Sequence, residues 1–167
     1  LRRLGRFEEA IAALEAAAGL NPRASDVVAD LAATLWMVRR VAEAEPFEIA
    51  LADTIGAGVP AQVIELIGRV REAVPGVAVR CHFHNTRNTG LANAFAAVQA
   101  GVTTLDASLG GIGGCPFAPA ATGNIPTEDL LYMLHRSGYE TGISLGAAIS
   151  TSRWLQEQLG RPMPGML

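Results

Sequence analysis

From Pro46 onward, short apolar runs alternate with longer stretches of helical period. "FEIALAD" (47–53) is a brief apolar run that closes on an acid, and it predicts a strand. "PAQVIELIGRVREAV" follows with Val63, Ile64, Ile67, Val70 and Val74 at helical spacing, and with Pro60 at the favoured first-turn position. Pro75-Gly76 marks a turn, and "VAVRCHFH" predicts a second strand. "TGLANAFAAVQAG" predicts a helix ended by Gly101, and "VTTLDASLGG" (102–111) predicts a third strand running into "GIGGCPFAPAATGN". "PTEDLLYMLHRSG" predicts a helix capped by Thr127, with Glu128 and Asp129 in its first turn and Gly138 past its end. "SLGAAISTSRWLQEQLG" predicts a last helix. Three βα units in succession predict an α/β fold, with a parallel sheet and right-handed crossovers.

The first 45 residues have a different pattern. "LRRLGRFEEAI" laid over "LWMVRRVAEAE" aligns Leu1 with Leu35, Leu4 with Val38, Arg6 with Arg40, Phe7 with Val41, Glu9 with Glu43 and Ala10 with Ala44, an offset of 34 residues. That period resembles the tetratricopeptide class, with Gly5 at a turn, small Ala10 and Ala17 where helices approach, and Asn21-Pro22 as a stop. Ser25 or Asp26 is placed to cap a second helix through Ala44. Two ordinary amphipathic helices built from common helix residues give the same pattern. The expected organisation is a helical segment over 1–45 and an α/β portion over 46–167.

Composition narrows the function classes. The chain has 167 residues, a net charge of −3 and 50% hydrophobic residues, so a packed core is expected and nucleic-acid binding is not. Charges or glycines interrupt every apolar run, so no membrane span is expected. Arg2 and Arg3 are followed by no apolar stretch of signal-peptide type. Two cysteines make no disulfide framework, which points to a reducing compartment and a cytoplasmic location. The chain starts at Leu1 rather than Met, as an internal piece of a longer protein would.

All three predicted strands end in polar residues: Asp53, then His82 and His84, then Asp106 and Ser108. In α/β folds that end of the sheet carries ligands. Residues i and i+2 of a strand share a face, so His82 and His84 point together. Two imidazoles so placed can bind one metal ion, and they can equally hydrogen-bond loop carbonyls. The loop after the third strand holds glycines at 110, 111, 113, 114 and 123, and Cys115 lies within it. Such a loop can close over a ligand. It does not match the nucleotide-binding P-loop, and its place in the chain is wrong for a dinucleotide fingerprint.

The segments "ADTIGAG", "HFHNT" with "TGLANAFAAVQAGV", "LDASLGGIGGCPFAPAATGN" and "TEDLLYMLHRSG" together resemble 3-hydroxy-3-methylglutaryl-CoA lyase and its relatives, metal-dependent enzymes on a TIM barrel. The resemblance runs from about Phe47 to Leu159, and Cys115-Pro116 sets it apart from the related Claisen synthases. It implies a partial TIM barrel made of the last three βα units. It implies that His82, His84 and Asn124 are ligands of a divalent cation, Mg²⁺ or Mn²⁺. It implies a catalytic role for Cys115 on a mobile loop, with Asp53 in the active site and Glu128 supporting activity. Asn85, Arg87, Gly113 and Gly114 become candidates for contact with an acyl-CoA substrate. The implied reaction is a retro-Claisen cleavage, in which a hard cation polarises a hydroxyl and a thiol protonates the departing enolate.

Two departures from the family matter. The Arg-Asp pair of the family's first strand, a catalytic arginine and a metal-binding aspartate, does not occur. Asn85 and "TRNTG" stand where the better-known lyases have Asp and "TYGQA", which opens the way to a different carboxylated acyl-CoA. Three strands do not close a barrel, so association through the sheet edges, as a homo-oligomer or otherwise, is expected. Three readings follow: a lyase in incomplete form, a catalytically inactive remnant that at most binds a partner, and a Claisen synthase relative.

Overall fold

The computed structural model describes residues 37–113 and 123–166. The proposed helical segment over 1–45 therefore lies almost wholly outside the described residues, which show only residues 37–42 as helix. The chain divides into two compact units, one of Leu1–Phe47 with Arg69–Val77 and one of Glu48–Gly68 with Ala78–Leu167. In the first, the described apolar residues Val38, Val70 and Val74 are buried.

The second unit is built on a three-stranded parallel sheet, β1 (Glu48–Asp53), β2 (Ala78–Phe83) and β3 (Thr104–Asp106), in the order β1-β2-β3. Helix α1 (Pro60–Ala73) lies between β1 and β2 in the chain, and α2 (Gly90–Gln99) lies between β2 and β3. Helices α3 (Thr127–Arg136) and α4 (Leu145–Leu159) follow. The α/β class and the parallel sheet are as the alternation of periods predicts, and the result is a partial α/β barrel.

Strand alternation decides which face is covered. Ile49, Leu51, Val79, Cys81 and Phe83 are buried, and α2, with Ala94, Ala96 and Ala97 buried, packs on β2. The other face carries Glu48, Ala50 and Ala52 on β1, Arg80 and His82 on β2, and Thr104 and Asp106 on β3, all exposed or half-buried. One face of this sheet is therefore core, and the other is open and charged.

The sequence expectation for β3 fails in length. It predicts a strand over 102–111, and the strand stops at Asp106. Ser108 instead enters a 3₁₀ turn over Leu109–Gly111, where Gly110 and Gly111 have φ of 66° and 70°. Positive φ cannot continue a strand, and glycine is the residue that tolerates it. Thr127 was expected as the cap of α3; it is instead the first helical residue, Pro126 holds the cap position, and no side chain caps the helix. Ser144 does cap α4, accepting from the Ala147 N–H at 3.3 Å, and Gly160 ends that helix in the left-handed conformation.

Candidate metal and catalytic site

The C-terminal ends of β1 and β2 converge with the start and the return of the glycine loop. His84 lies just past β2 and forms an isolated antiparallel bridge with Asn124. Asn85 N–H donates to the Gly123 carbonyl at 3.0 Å, and Ile125 N–H donates to the Phe83 carbonyl at 3.1 Å. These bonds fasten the returning segment beside the histidine pair. Gly123 has φ of 107°, and a Cβ there would lie 2.4 Å from the Gly113 carbonyl oxygen, so only glycine lets the two arms of the loop meet.

His82 and His84 share the open side, as the spacing predicts. Their ring centroids are 5.1 Å apart in an edge-to-face arrangement. His84 is 4% exposed, and its Nδ1 is buried with no hydrogen-bond partner. Burial, and then the neighbouring His82, push its pKa below the ordinary histidine value, with Asp53 opposing. The ring therefore stays neutral and offers a lone pair. Asn124 Nδ2 donates to the Ile112 carbonyl at 3.0 Å, which directs its Oδ1 elsewhere as an acceptor. An orphaned imidazole nitrogen, a second imidazole and an amide oxygen fit a divalent cation. No group of three His, Cys, Asp or Glu side chains forms a metal cluster among the described residues.

The remaining candidates divide. Asp53 holds the turn after β1, accepting from Ala57 N–H at 3.2 Å and Gly58 N–H at 2.9 Å. Asn85 Oδ1 accepts from Gly90 N–H at 3.1 Å and so fixes the start of α2. Arg87 is exposed at the same end of the sheet, and its N–H is tied to the Gly56 carbonyl at 3.1 Å. Gly113 approaches Asn124 closely, since a Cβ there would lie 2.8 Å from Nδ2. Cys115 and Gly114 lie outside the described residues.

Glu128 is fully buried, and its oxygens are engaged by protein donors. Gly110 N–H reaches Oε1 and Oε2 at 3.0 Å each, and Ser152 Oγ donates to Oε1 at 2.7 Å. It anchors the turn from which the glycine loop departs. Asp129 beside it accepts from Met166 N–H at 3.0 and 3.3 Å. Its pKa is raised, first by burial, with the Met166 bond lowering it and Glu128 raising it further.

Sequence reasoning left Arg80 and Glu48 off the list of site candidates and named Asp106 only as a polar strand end. Arg80 Nε donates to Glu48 Oε1 at 2.8 Å, its Nη1 donates to Asp106 Oδ2, and Asp106 Oδ1 bonds His82 Nδ1. The signal was available, because Arg80 precedes His82 by two positions and shares its face.

The partial α/β barrel carries its histidine pair at the carboxyl ends of the strands, the end at which α/β barrels bear their ligands. The HMGL-like family profile matches residues 21–155, and the chain belongs to that family. The match begins ahead of the boundary expected at Pro46. The chain is 55% identical to an (R)-citramalyl-CoA lyase of Chloroflexus aurantiacus over 72% of its own length and 38% of the relative's. It is 44% identical to a hydroxymethylglutaryl-CoA lyase of Bacillus subtilis over 70% of its length and 39% of that protein's. Among solved structures, an HMG-CoA lyase of Acinetobacter baumannii in complex with coenzyme A and 3-methylmalate superposes with a TM-score of 0.76 at 42% identity, over 80% of this chain and 44% of that one. The chain thus spans about two-fifths of the length of the curated relatives it matches. Among the described residues, no helix is long and apolar enough to cross a membrane.

Proposed function

We propose that this chain carries the cation-binding part of a carbon–carbon lyase site that cleaves a carboxylated 3-hydroxyacyl-CoA in the retro-Claisen sense. The observation that carries the reading is the buried, unpartnered Nδ1 of His84, set opposite Asn124 and edge-to-face with His82. His82, His84 and Asn124 would hold Mg²⁺ or Mn²⁺. When bound, the cation supplies Lewis-acid polarisation of the substrate's hydroxyl and carboxylate oxygens. Mn²⁺ suits two imidazole nitrogens at least as well as Mg²⁺ does.

The residues of the chain have distinct tasks in this reading. His84 stays neutral because it is buried, so it remains a ligand near neutral pH. Arg87 offers an exposed positive charge to an anionic group of the acyl-CoA. Asp53 and Glu128 hold the two loops that flank the site. Cys115 is assigned the proton that the acyl-CoA carbanion takes up once the bond between its α-carbon and the carbinol carbon breaks. The carbinol carbon leaves as a ketone after its hydroxyl gives up a proton. The similarity to a hydroxymethylglutaryl-CoA lyase and a citramalyl-CoA lyase supports two substrates of this class, 3-hydroxy-3-methylglutaryl-CoA and (R)-citramalyl-CoA.

The described sheet has three strands, too few to close a barrel, so turnover is expected where further strands complete the lumen. The outer edges of β1 and β3, unpaired by any further named strand among the described residues, support association, which size-exclusion chromatography checks. We place the chain in a reducing, cytoplasmic setting, since its two cysteines make no disulfide framework.

The test incubates the purified chain with Mn²⁺ and each acyl-CoA, following acetoacetate or pyruvate release and, separately, Mn²⁺ affinity. Turnover abolished by Cys115→Ala establishes the lyase. Mn²⁺ binding that needs His82 and His84, without turnover, supports an incomplete site. No turnover and no histidine-dependent binding would make the chain an inactive remnant.

A further inference from the structure

The open face of the sheet carries a continuous chain of side chains that crosses all three strands. The register sets Ala50 opposite Arg80, Arg80 opposite Thr104, and His82 opposite Asp106. From the middle strand, Arg80 reaches both neighbours: Nε donates to Glu48 Oε1 on β1 at 2.8 Å, and Nη1 donates to Asp106 Oδ2 on β3. The remaining oxygen of Asp106, Oδ1, bonds His82 Nδ1. Glu48 and Asp106 hold the guanidinium more firmly protonated, Glu48 first. Asp106 is half-buried, so this is an ordered arrangement rather than a loose surface pair.

Donor and acceptor logic fixes the histidine. A carboxylate only accepts, so the nitrogen facing Asp106 Oδ1 must carry a hydrogen. In a neutral imidazole the other nitrogen, Nε2, then carries the lone pair. We propose that Asp106, clamped by Arg80 and Glu48, is a positioning residue that holds His82 as its Nδ1–H tautomer and leaves Nε2 as the ring's free donor atom on the open face. Arg80 acts at one remove by fixing the rotamer of Asp106. A lysine in its place has one ammonium and cannot hold two carboxylates in the same fork. The consequence for cation binding rests on the reading above; the tautomer itself does not.

The experiment uses the full chain labelled with ¹⁵N-histidine. Only three histidines are present, and His135, whose Nε2 lies 2.9 Å from Thr141 Oγ1, serves as an internal reference. Long-range ¹H–¹⁵N correlation at about pH 8, above the ordinary histidine range, reads the tautomer of each ring. The native chain is expected to show His82 as Nδ1–H. Asp106→Asn has one accepting oxygen, which the donor-only Arg80 claims, so its amide N–H₂ faces His82 Nδ1 and the ring is expected as Nε2–H. Asp106→Ala and Arg80→Leu are expected to give Nε2–H or a mixture. An Nε2–H ring in the native chain overturns the proposal, as does an Asp106→Ala spectrum identical to the native one. If Asp106→Ala fails to fold, the native tautomer and Arg80→Leu decide. Mn²⁺ titration of the same samples adds a separate readout: Asp106→Ala and Asp106→Asn are each expected to weaken binding about 10- to 100-fold. A native chain whose histidine signals ignore Mn²⁺ refutes the cation reading while the tautomer result stands.

Discussion

The same substitution, glycine to alanine, is expected to have opposite signs at two helix positions. Gly90 opens α2 and is buried beneath the end of β2. A Cβ built there would lie 2.5 Å from Ile125 Cγ2, 2.8 Å from the His84 carbonyl oxygen and 3.1 Å from Asn85 Oδ1. None of these can swing away: Ile125 is 0% exposed, the carbonyl is main chain, and Asn85 Oδ1 already accepts the Gly90 N–H. Overpacking of this kind costs about 1–3 kcal/mol, and the helix-propensity gain of at most about 1 kcal/mol offsets only part of it. Gly68 lies in the interior of α1, is exposed, and has nothing within 4 Å of the added Cβ. There the gain of about 1 kcal/mol should appear undiminished. Urea denaturation of Gly90→Ala and Gly68→Ala beside the native chain measures both. The pair should differ by about 1–4 kcal/mol, Gly68→Ala above the native chain and Gly90→Ala below it. Equal stability of the two variants would refute the claim that the backbone of His84 is locked by close packing against α2.

Asp129→Asn should stabilise the chain at neutral pH. The folded-state pKa of Asp129 is raised, so its favourable contribution exists below the unfolded value and is lost as pH rises through the folded one; denaturation at pH 4 and pH 7 should show the variant's advantage growing with pH. Glu128→Ala strips partners from the buried Gly110 N–H and Ser152 hydroxyl and should cost about 2–5 kcal/mol, against about 1 kcal/mol for Ser152→Ala, in the same urea assay. His84→Ala and Asn124→Ala should each lower Mn²⁺ affinity by at least about tenfold without loss of the helical circular-dichroism signal, because both lie past the end of β2 rather than within its ladder.

The hydrophobic and polar pattern determined much of this protein by itself. The strand runs expected at 47–53 and 77–84 and the helical spacing over 60–74 are local properties, and they became β1, β2 and α1 with little change. The i, i+2 spacing also anticipated His82 and His84 side by side, since the extended backbone continues one residue past β2 to the His84–Asn124 bridge. Tertiary structure decided what those residues meet. β3 leaves its ladder at Asp106, Ser108 bridges Pro126 instead, and Gly110 and Gly111 turn the chain with positive φ, none of which apolar periodicity encodes. Asn124 faces His84 because the loop returns antiparallel to β2, a pairing across 40 residues. Glu128, expected beside the chemistry, is turned inward to hold Gly110. Asp106 meets His82 only through the parallel register of β2 and β3. Sequence fixes what each residue can donate or accept, and the register between strands fixes its partner. Here that register joins Glu48, Arg80, Asp106 and His82 from three separate segments into one row.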